Sequence, residues 1–117
     1  MGKVNIYGIP NCDITKKALN WLKINKIDFE FHDYKVEGIN KTKLEEWSEK
    51  VGWETIFNKR STTWRELDVK AQAAVVNEAS AIQTMIENNS IIKRPVIETG
   101  SKLLVGFNEE NYSKQIK

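Results

Sequence analysis

The order of the first three hydrophobic patterns restricts the fold of this chain more than any other feature. Lys3-Val4-Asn5-Ile6-Tyr7 alternates with the period of two that a strand requires, and Gly8, Pro10 and Asn11 then break it. From Asp13 onward Ile14, Ala18, Trp21 and Leu22 recur at helical spacing, with Lys16, Lys17, Asn20 and Lys23 on the other side. Asp28-Phe29-Glu30-Phe31-His32-Asp33-Tyr34 alternates again, so a β-α-β unit closes by about residue 34. A crossover of this kind joins parallel strands.

The middle of the chain changes character. Asn40 is placed to cap a helix bearing Leu44, Trp47 and Val51, and Asp68 and Asn77 are placed to cap two more, with Ile82, Met85 and Ile86 on the stripe of the last. Between them Asn58-Lys59-Arg60-Ser61-Thr62-Thr63-Trp64 is polar and without period, and reads as a loop. After Asn88-Asn89-Ser90, the segments Pro95-Val96-Ile97-Glu98 and Lys102-Leu103-Leu104-Val105 flank Thr99-Gly100-Ser101 as two strands around a tight turn. Asn108 then caps a closing helix to about Ile116. The order is β-α-β, a helical block, then β-β-α: an α/β fold with a mixed sheet.

Length and charge agree with a single small domain. The chain has 117 residues, 40% hydrophobic and 29% charged, which leaves little room for a second independent core. Its formal net charge is +2, with cations and carboxylates interspersed, so sequence-independent nucleic-acid binding is not indicated. No stretch approaches the roughly 20 apolar residues of a membrane span, and Met1-Gly2-Lys3-Val4-Asn5 has no apolar signal core; a cytoplasmic protein is expected. The single cysteine excludes an intramolecular disulfide, and one cysteine with one histidine falls short of the usual zinc ligand sets, so no metal is expected.

Cys12 is the candidate reactive group. A lone cysteine is most often a small buried hydrophobe, but Cys12 follows a strand and a Pro-containing turn with a helix beginning beside it. Unpaired amides of the first helical turn and the helix dipole favour a thiolate there. Thr15 is placed to donate its hydroxyl to an anion at that terminus, and Lys16 and Lys17 add positive potential, while Asp13 opposes it. Thr15 is equally readable as a plain helix residue and the lysines as a solvated face. With no second cysteine, a substrate-bound Cys12 is resolved only by an external thiol.

Four segments, in order, resemble the arsenate reductase/Spx family, and most closely its YffB-like branch of glutathione-dependent thiol reductases. They are Tyr7-Gly8-Ile9-Pro10-Asn11-Cys12-Asp13 with Lys16-Lys17-Ala18, Phe31-His32-Asp33-Tyr34, Asn58-Lys59-Arg60-Ser61-Thr62-Thr63-Trp64-Arg65, and Ile92-Lys93-Arg94-Pro95. The resemblance covers nearly the whole chain. It implies a thioredoxin-like fold over residues 1–117 with residues 39–89 as a helical insertion, a nucleophilic Cys12, and Arg60 and Arg94 facing it. It further implies a cis Arg94–Pro95 bond and glutathione or glutaredoxin as the thiol partner. Asn11, Thr15, Pro95 and Trp64 are the expected contacts of substrate or glutathione.

Two departures bear on substrate. The glutaredoxin-linked arsenate reductases of this resemblance have a third arginine near Leu104-Val105-Gly106-Phe107 and a histidine where Gly8 stands. Without them an arsenate dianion loses charge-assisted contacts. The Spx regulators of the same resemblance bind RNA polymerase and sense oxidation through a Cys-x-x-Cys pair; here Thr15 holds the second position. Val105-Gly106-Phe107-Asn108-Glu109-Glu110 is Spx-like, which keeps polymerase binding as an alternative. Trp21 and Trp47 lie on apolar helix stripes and read as core, as do Trp53 and Trp64 at loop ends, although Trp64 also suits a cleft. His32 reads as a structural, hydrogen-bonded residue.

Overall fold

A computed structural model describes residues 3–116; Met1, Gly2 and Lys117, the ends of the expected 1–117 domain, lie outside the described residues. Its contacts divide it into two units, one formed by residues up to Glu37 together with those from Arg94 onward, the other by Gly38–Lys93.

The first unit is built on a four-stranded sheet. Its elements are β1 (Val4–Gly8), α1 (Asp13–Ile24), β2 (Phe29–Asp33), α2 (Tyr34–Glu37), β3 (Val96–Thr99), β4 (Lys102–Val105) and a closing helix, Glu109–Gln115. The strand order is β2-β1-β3-β4. β1 runs parallel to β2, as the crossover requires, while β1–β3 and β3–β4 are antiparallel. The registers align Phe31, Ile6, Ile97 and Leu104 in one row across the sheet. A cross-strand row of this kind is the unit that stabilises a sheet face. Ala18, Trp21 and Leu22 of α1 and Tyr112 and Ile116 of the C-terminal segment bury themselves on that row with Val4. Trp21 meets the edge of the Tyr112 ring at 5.4 Å, and Phe107 does so at 5.1 Å. Each fully buried side chain of this size contributes roughly 1.5–3 kcal/mol.

Helix α1 differs from its expected stripe at one position. Ile14 is exposed and Thr15 is fully buried, so the inward face runs Thr15, Ala18, Trp21 and Leu22. The inward face thus begins three residues before Ala18 rather than four, in the first turn after the N-cap Cys12.

The second unit is helical: α3 (Lys41–Val51), α4 (Trp53–Ile56), α5 (Thr62–Glu66), α6 (Val69–Ala73), α7 (Glu78–Glu87) and a single 3₁₀ turn, Asn89–Ile91. The closing Glu109–Gln115 helix of the first unit is therefore α8. Side chains of Asn40, Asp68, Asn77 and Asn108 accept an amide of the first turn of α3, α6, α7 and α8, as expected of these residues. At Asn77 the cap is reciprocal, since the Ser80 hydroxyl oxygen accepts the Asn77 amide. Leu44, Trp47, Ile56, Phe57, Ala81, Ile82, Met85, Ile91 and Ile92 are buried, and α3 and α7 touch each other and α4.

Three short elements depart from the sequence reading. Part of the expected Asn58–Trp64 loop is helix, because Ser61 accepts the Trp64 amide at 3.1 Å and so starts α5 inside the polar run. α2 begins at Tyr34, which the alternation had assigned to the strand, and α4 was not foreseen. Helices of four or five residues are too short to show a period. No helix of the described residues is long and apolar enough to cross a membrane.

Candidate active site

The sheet directions bring three chain segments to one edge. The parallel strands β1 and β2 end together, with Gly8 paired to Asp33, and antiparallel β3 starts beside them, with Val96 paired to Tyr7. The residues that follow β1 and β2 and those that precede β3 therefore share that edge. They are Cys12, Tyr34 and Arg94.

Beyond β1 the chain makes a β-turn. The Cys12 amide donates to the Ile9 carbonyl at 3.1 Å, with Pro10 and Asn11 as the central residues, and the fixed φ of proline suits the first of these positions. Cys12 then holds extended N-cap backbone, and its carbonyl accepts the Lys16 amide at 2.9 Å as the first bond of α1. The sulfur makes no full capping bond of its own, but the Thr15 and Ile14 amides point at it. Cys12 is half-buried.

The electrostatics of the sulfur follow from that placement. Burial is the largest single influence and pushes the thiol up. It is outweighed by the Thr15 amide, the Arg94 guanidinium, the Thr15 hydroxyl and the Ile14 amide acting together, so the Cys12 thiol lies below its ordinary value. The Thr15 hydroxyl is fully buried and has no hydrogen-bond partner of full distance and angle. It lies near enough to the sulfur to favour the anion, and a thiolate is the acceptor it lacks.

Arg94 is the hub. Burial works against its charge, but contacts with Cys12 and Tyr34 prevail and hold its pKa above the ordinary arginine value. Its guanidinium carries donors only, so it donates both to the sulfur and to the Tyr34 oxygen. Burial pushes the Tyr34 phenol up to about 12 against the opposing pull of Arg94, so Tyr34 stays neutral. The Arg94–Pro95 bond is cis, as expected, and the buried Pro95 accepts the Gly106 amide on its carbonyl at 2.8 Å.

Gly8 closes the underside of the site. A Cβ there would lie 2.8 Å from Thr15 Oγ1 and 2.9 Å from its Cγ2, closer than real contacts allow. Only glycine leaves the Thr15 side chain its place.

Of the residues singled out from sequence, Cys12, Thr15 and Arg94 come together, and Asn11 is exposed in the turn beside Cys12. Arg60 and Trp64 belong to the Gly38–Lys93 unit. Arg60 is exposed, its amide bound by Asn58 Oδ1 at 3.0 Å. Trp64 is half-buried and meets the Phe57 ring edge-on at 5.0 Å. Trp21 and Trp47 are core, as expected. His32 stacks on Tyr7 at 4.6 Å, with one ring nitrogen 3.1 Å from Asn5 Oδ1 and the other 3.2 Å from Glu37 Oε1, the structural role expected of it. Sequence reasoning missed Tyr34 and the reason for Gly8. Among the described residues no group of three or more His, Cys, Asp or Glu side chains is arranged to hold a metal. The Gly38–Lys93 unit carries an open cleft lined by Glu45, Ser48, Glu49, Gly52, Trp53 and Glu78, none of them a candidate residue.

A mixed sheet in the order β2-β1-β3-β4, a cis-proline before β3 and one cysteine at the start of α1 define a thioredoxin-like domain with a single thiol at that helix start. The chain belongs to the ArsC family, whose model matches residues 7–115. A Haemophilus influenzae protein of uncharacterised function is 42% identical over 93% of this chain and 95% of its own length. The solved structure of a protein named YFFB is also 42% identical, with a TM-score of 0.94 over 98% of this chain and all of the other. The global transcriptional regulator Spx of Lactiplantibacillus plantarum is 29% identical over 92% of this chain and 81% of its own.

Proposed function

We propose that the protein is a thiol-dependent reductase in which Cys12 is the nucleophile and glutathione is the external thiol. The observation that carries this reading is the set of donors on one sulfur: the Arg94 guanidinium, the Thr15 and Ile14 amides and the Thr15 hydroxyl. Such donors raise the thiolate fraction, and the thiolate is the attacking species.

With a disulfide R–S–S–R′, the Cys12 thiolate attacks one sulfur and expels R′–S⁻, leaving Cys12–S–S–R. The glutathione thiolate then attacks the sulfur of R, forms G–S–S–R and returns Cys12 as a thiolate. Two bonds are broken and two made, and the protein ends as it began. The same donors take charge from the leaving sulfur when Cys12 is regenerated. Arg94 and Arg60 are the anion-binding groups of this reading, and Asn11, Thr15, Pro95 and Trp64 its ligand contacts; the resemblance of the Arg60 and Arg94-Pro95 segments supports these assignments. A cytoplasmic setting supplies the glutathione. Arsenate is disfavoured as substrate, because position 8 and the Leu104–Phe107 segment lack the histidine and arginine that would hold a dianion.

The test is a glutathione titration followed by amide NMR shifts, with turnover of a mixed glutathione disulfide coupled to glutathione reductase. Shifts at Cys12 and Arg94 and turnover lost in Cys12→Ser are expected. Shifts that avoid both residues would overturn the reading. The Spx relatives favour a second one, a polymerase-binding regulator. Capture of RNA polymerase independent of Cys12, without disulfide turnover, would establish that alternative.

A further inference from the structure

We propose that Tyr34 is a positioning residue that fixes the Arg94 guanidinium on the Cys12 sulfur, a role that rests on Cys12 being the nucleophile. Tyr34 is wholly buried at the start of α2, directly after β2, on the sheet edge where β1 ends and β3 begins. Arg94 reaches both groups: it donates to the Tyr34 oxygen and to the Cys12 sulfur. A guanidinium is planar, so a bond at one edge sets the direction of its remaining N–H groups. Tyrosine rather than phenylalanine at a buried position calls for a hydroxyl partner, and that partner is Arg94.

The phenol has a second merit over a carboxylate. It is neutral throughout the working pH range, since burial pushes it up to about 12. A carboxylate in the same place would neutralise the arginine, whereas Tyr34 orients it and leaves its whole charge for the sulfur. Arginine has long rotamer freedom that a single sulfur contact restrains poorly, and a support of this kind is what holds such a group within reach of its target. A tyrosine that merely filled the core would do none of this, and phenylalanine would replace it without effect on the thiol.

The experiment uses Tyr34→Phe, which keeps the ring and removes one oxygen. Cys12 alkylation by iodoacetamide is followed against pH, and the Arg94 Nε–H resonance is followed by NMR for restricted rotation and slow exchange. In the unsubstituted protein the Arg94 signal is expected to be restricted; free rotation there would overturn the proposal even if the variant failed to fold. In Tyr34→Phe the signal loosens and the thiolate pKa rises by about half a unit, roughly a threefold loss of thiolate at a pH below it. In an Arg94→Ala background the same substitution has no further effect on the thiol, because its route is gone. An equal shift in both backgrounds overturns the proposal. So does an unmoved thiol in Tyr34→Phe when the wild-type thiol is depressed, and in that case the reductase reading stands. An ordinary thiol in the wild-type protein removes the nucleophile and the positioning role together.

Discussion

Replacing Gly8 by alanine tests the packing of Thr15 beside the Cys12 thiol. The backbone there does not require glycine, since Gly8 is a strand residue without the positive φ seen at Gly38, Gly52, Gly100 and Gly106. On backbone grounds alone alanine would stabilise by about 0.4–1 kcal/mol through the unfolded chain. The new methyl carbon, however, would sit 2.8 Å from Thr15 Oγ1 and 2.9 Å from Cγ2, while the Thr15 Cβ is at an ordinary 3.5 Å. Thr15 is fully buried on α1 and cannot yield toward solvent. Overpacking of this kind costs about 1–3 kcal/mol, so Gly8→Ala is expected to destabilise by roughly 1–2 kcal/mol net. Thr15→Ala alone loses a buried methyl and hydroxyl, about 1 kcal/mol. In the double variant the incoming methyl takes the space the threonine vacates. The double should therefore cost at least about 1 kcal/mol less than the sum of the singles. Urea unfolding of the four proteins measures this coupling, with the Cys12 thiolate titrated in each: Gly8→Ala should raise the thiol pKa by displacing the Thr15 hydroxyl. Single effects that add within roughly 0.3–0.5 kcal/mol, the margin for independent sites, would refute the claim that Gly8 and Thr15 share one space.

Three further outcomes follow from the same geometry. Arg94→Ala removes a donor from the sulfur and should raise the Cys12 pKa by about one unit, a tenfold change in thiolate below it; ultraviolet thiolate absorbance against pH reads it directly, and an unchanged titration contradicts the contact. The stability of the protein should also follow the thiol. A thiol depressed in the folded state contributes stability that is complete above its unfolded value of about 8.5 and is lost as pH falls through the folded value. The unfolding free energy of the wild-type protein minus that of Cys12→Ser should accordingly rise with pH across that window and then level off, and a flat difference in urea titrations would contradict the depression. Asn77→Ala removes the cap of α7 and should cost about 1 kcal/mol in the same assay, with Cys12 reactivity unchanged.

What sequence could deliver is set by the range over which each pattern repeats. The strands β1 and β4, the helix α1 and the caps at Asn40, Asp68, Asn77 and Asn108 were legible because each is a local signal: alternation, a 3.6-residue stripe, or a side chain that reaches an amide three residues on. The placement of Cys12 at the N-cap of α1 was legible for the same reason. Ile14 was misplaced because a period fixes a stripe only to within a residue, and the decision between Ile14 and Thr15 lies with Gly8, across the turn. Thr15 is the polar member of that pair, and hydropathy alone assigns the burial to isoleucine; the sheet end reverses it because the space over Gly8 is shaped for a small branched side chain beside the sulfur. Tyr34 failed differently. The Phe29 and Phe31 alternation already fails at Asp33, but no Gly or Pro marks that end of β2, and the four-residue α2 that starts at Tyr34 is too short to show a period of its own. Its partner Arg94 lies sixty residues further along the chain, and only the pairing of β1 with both β2 and β3 brings the two together. The parts of the site that recruit a neighbour within one helical turn are thus written in the sequence, and the parts that depend on which strand ends share an edge emerge only from the sheet order.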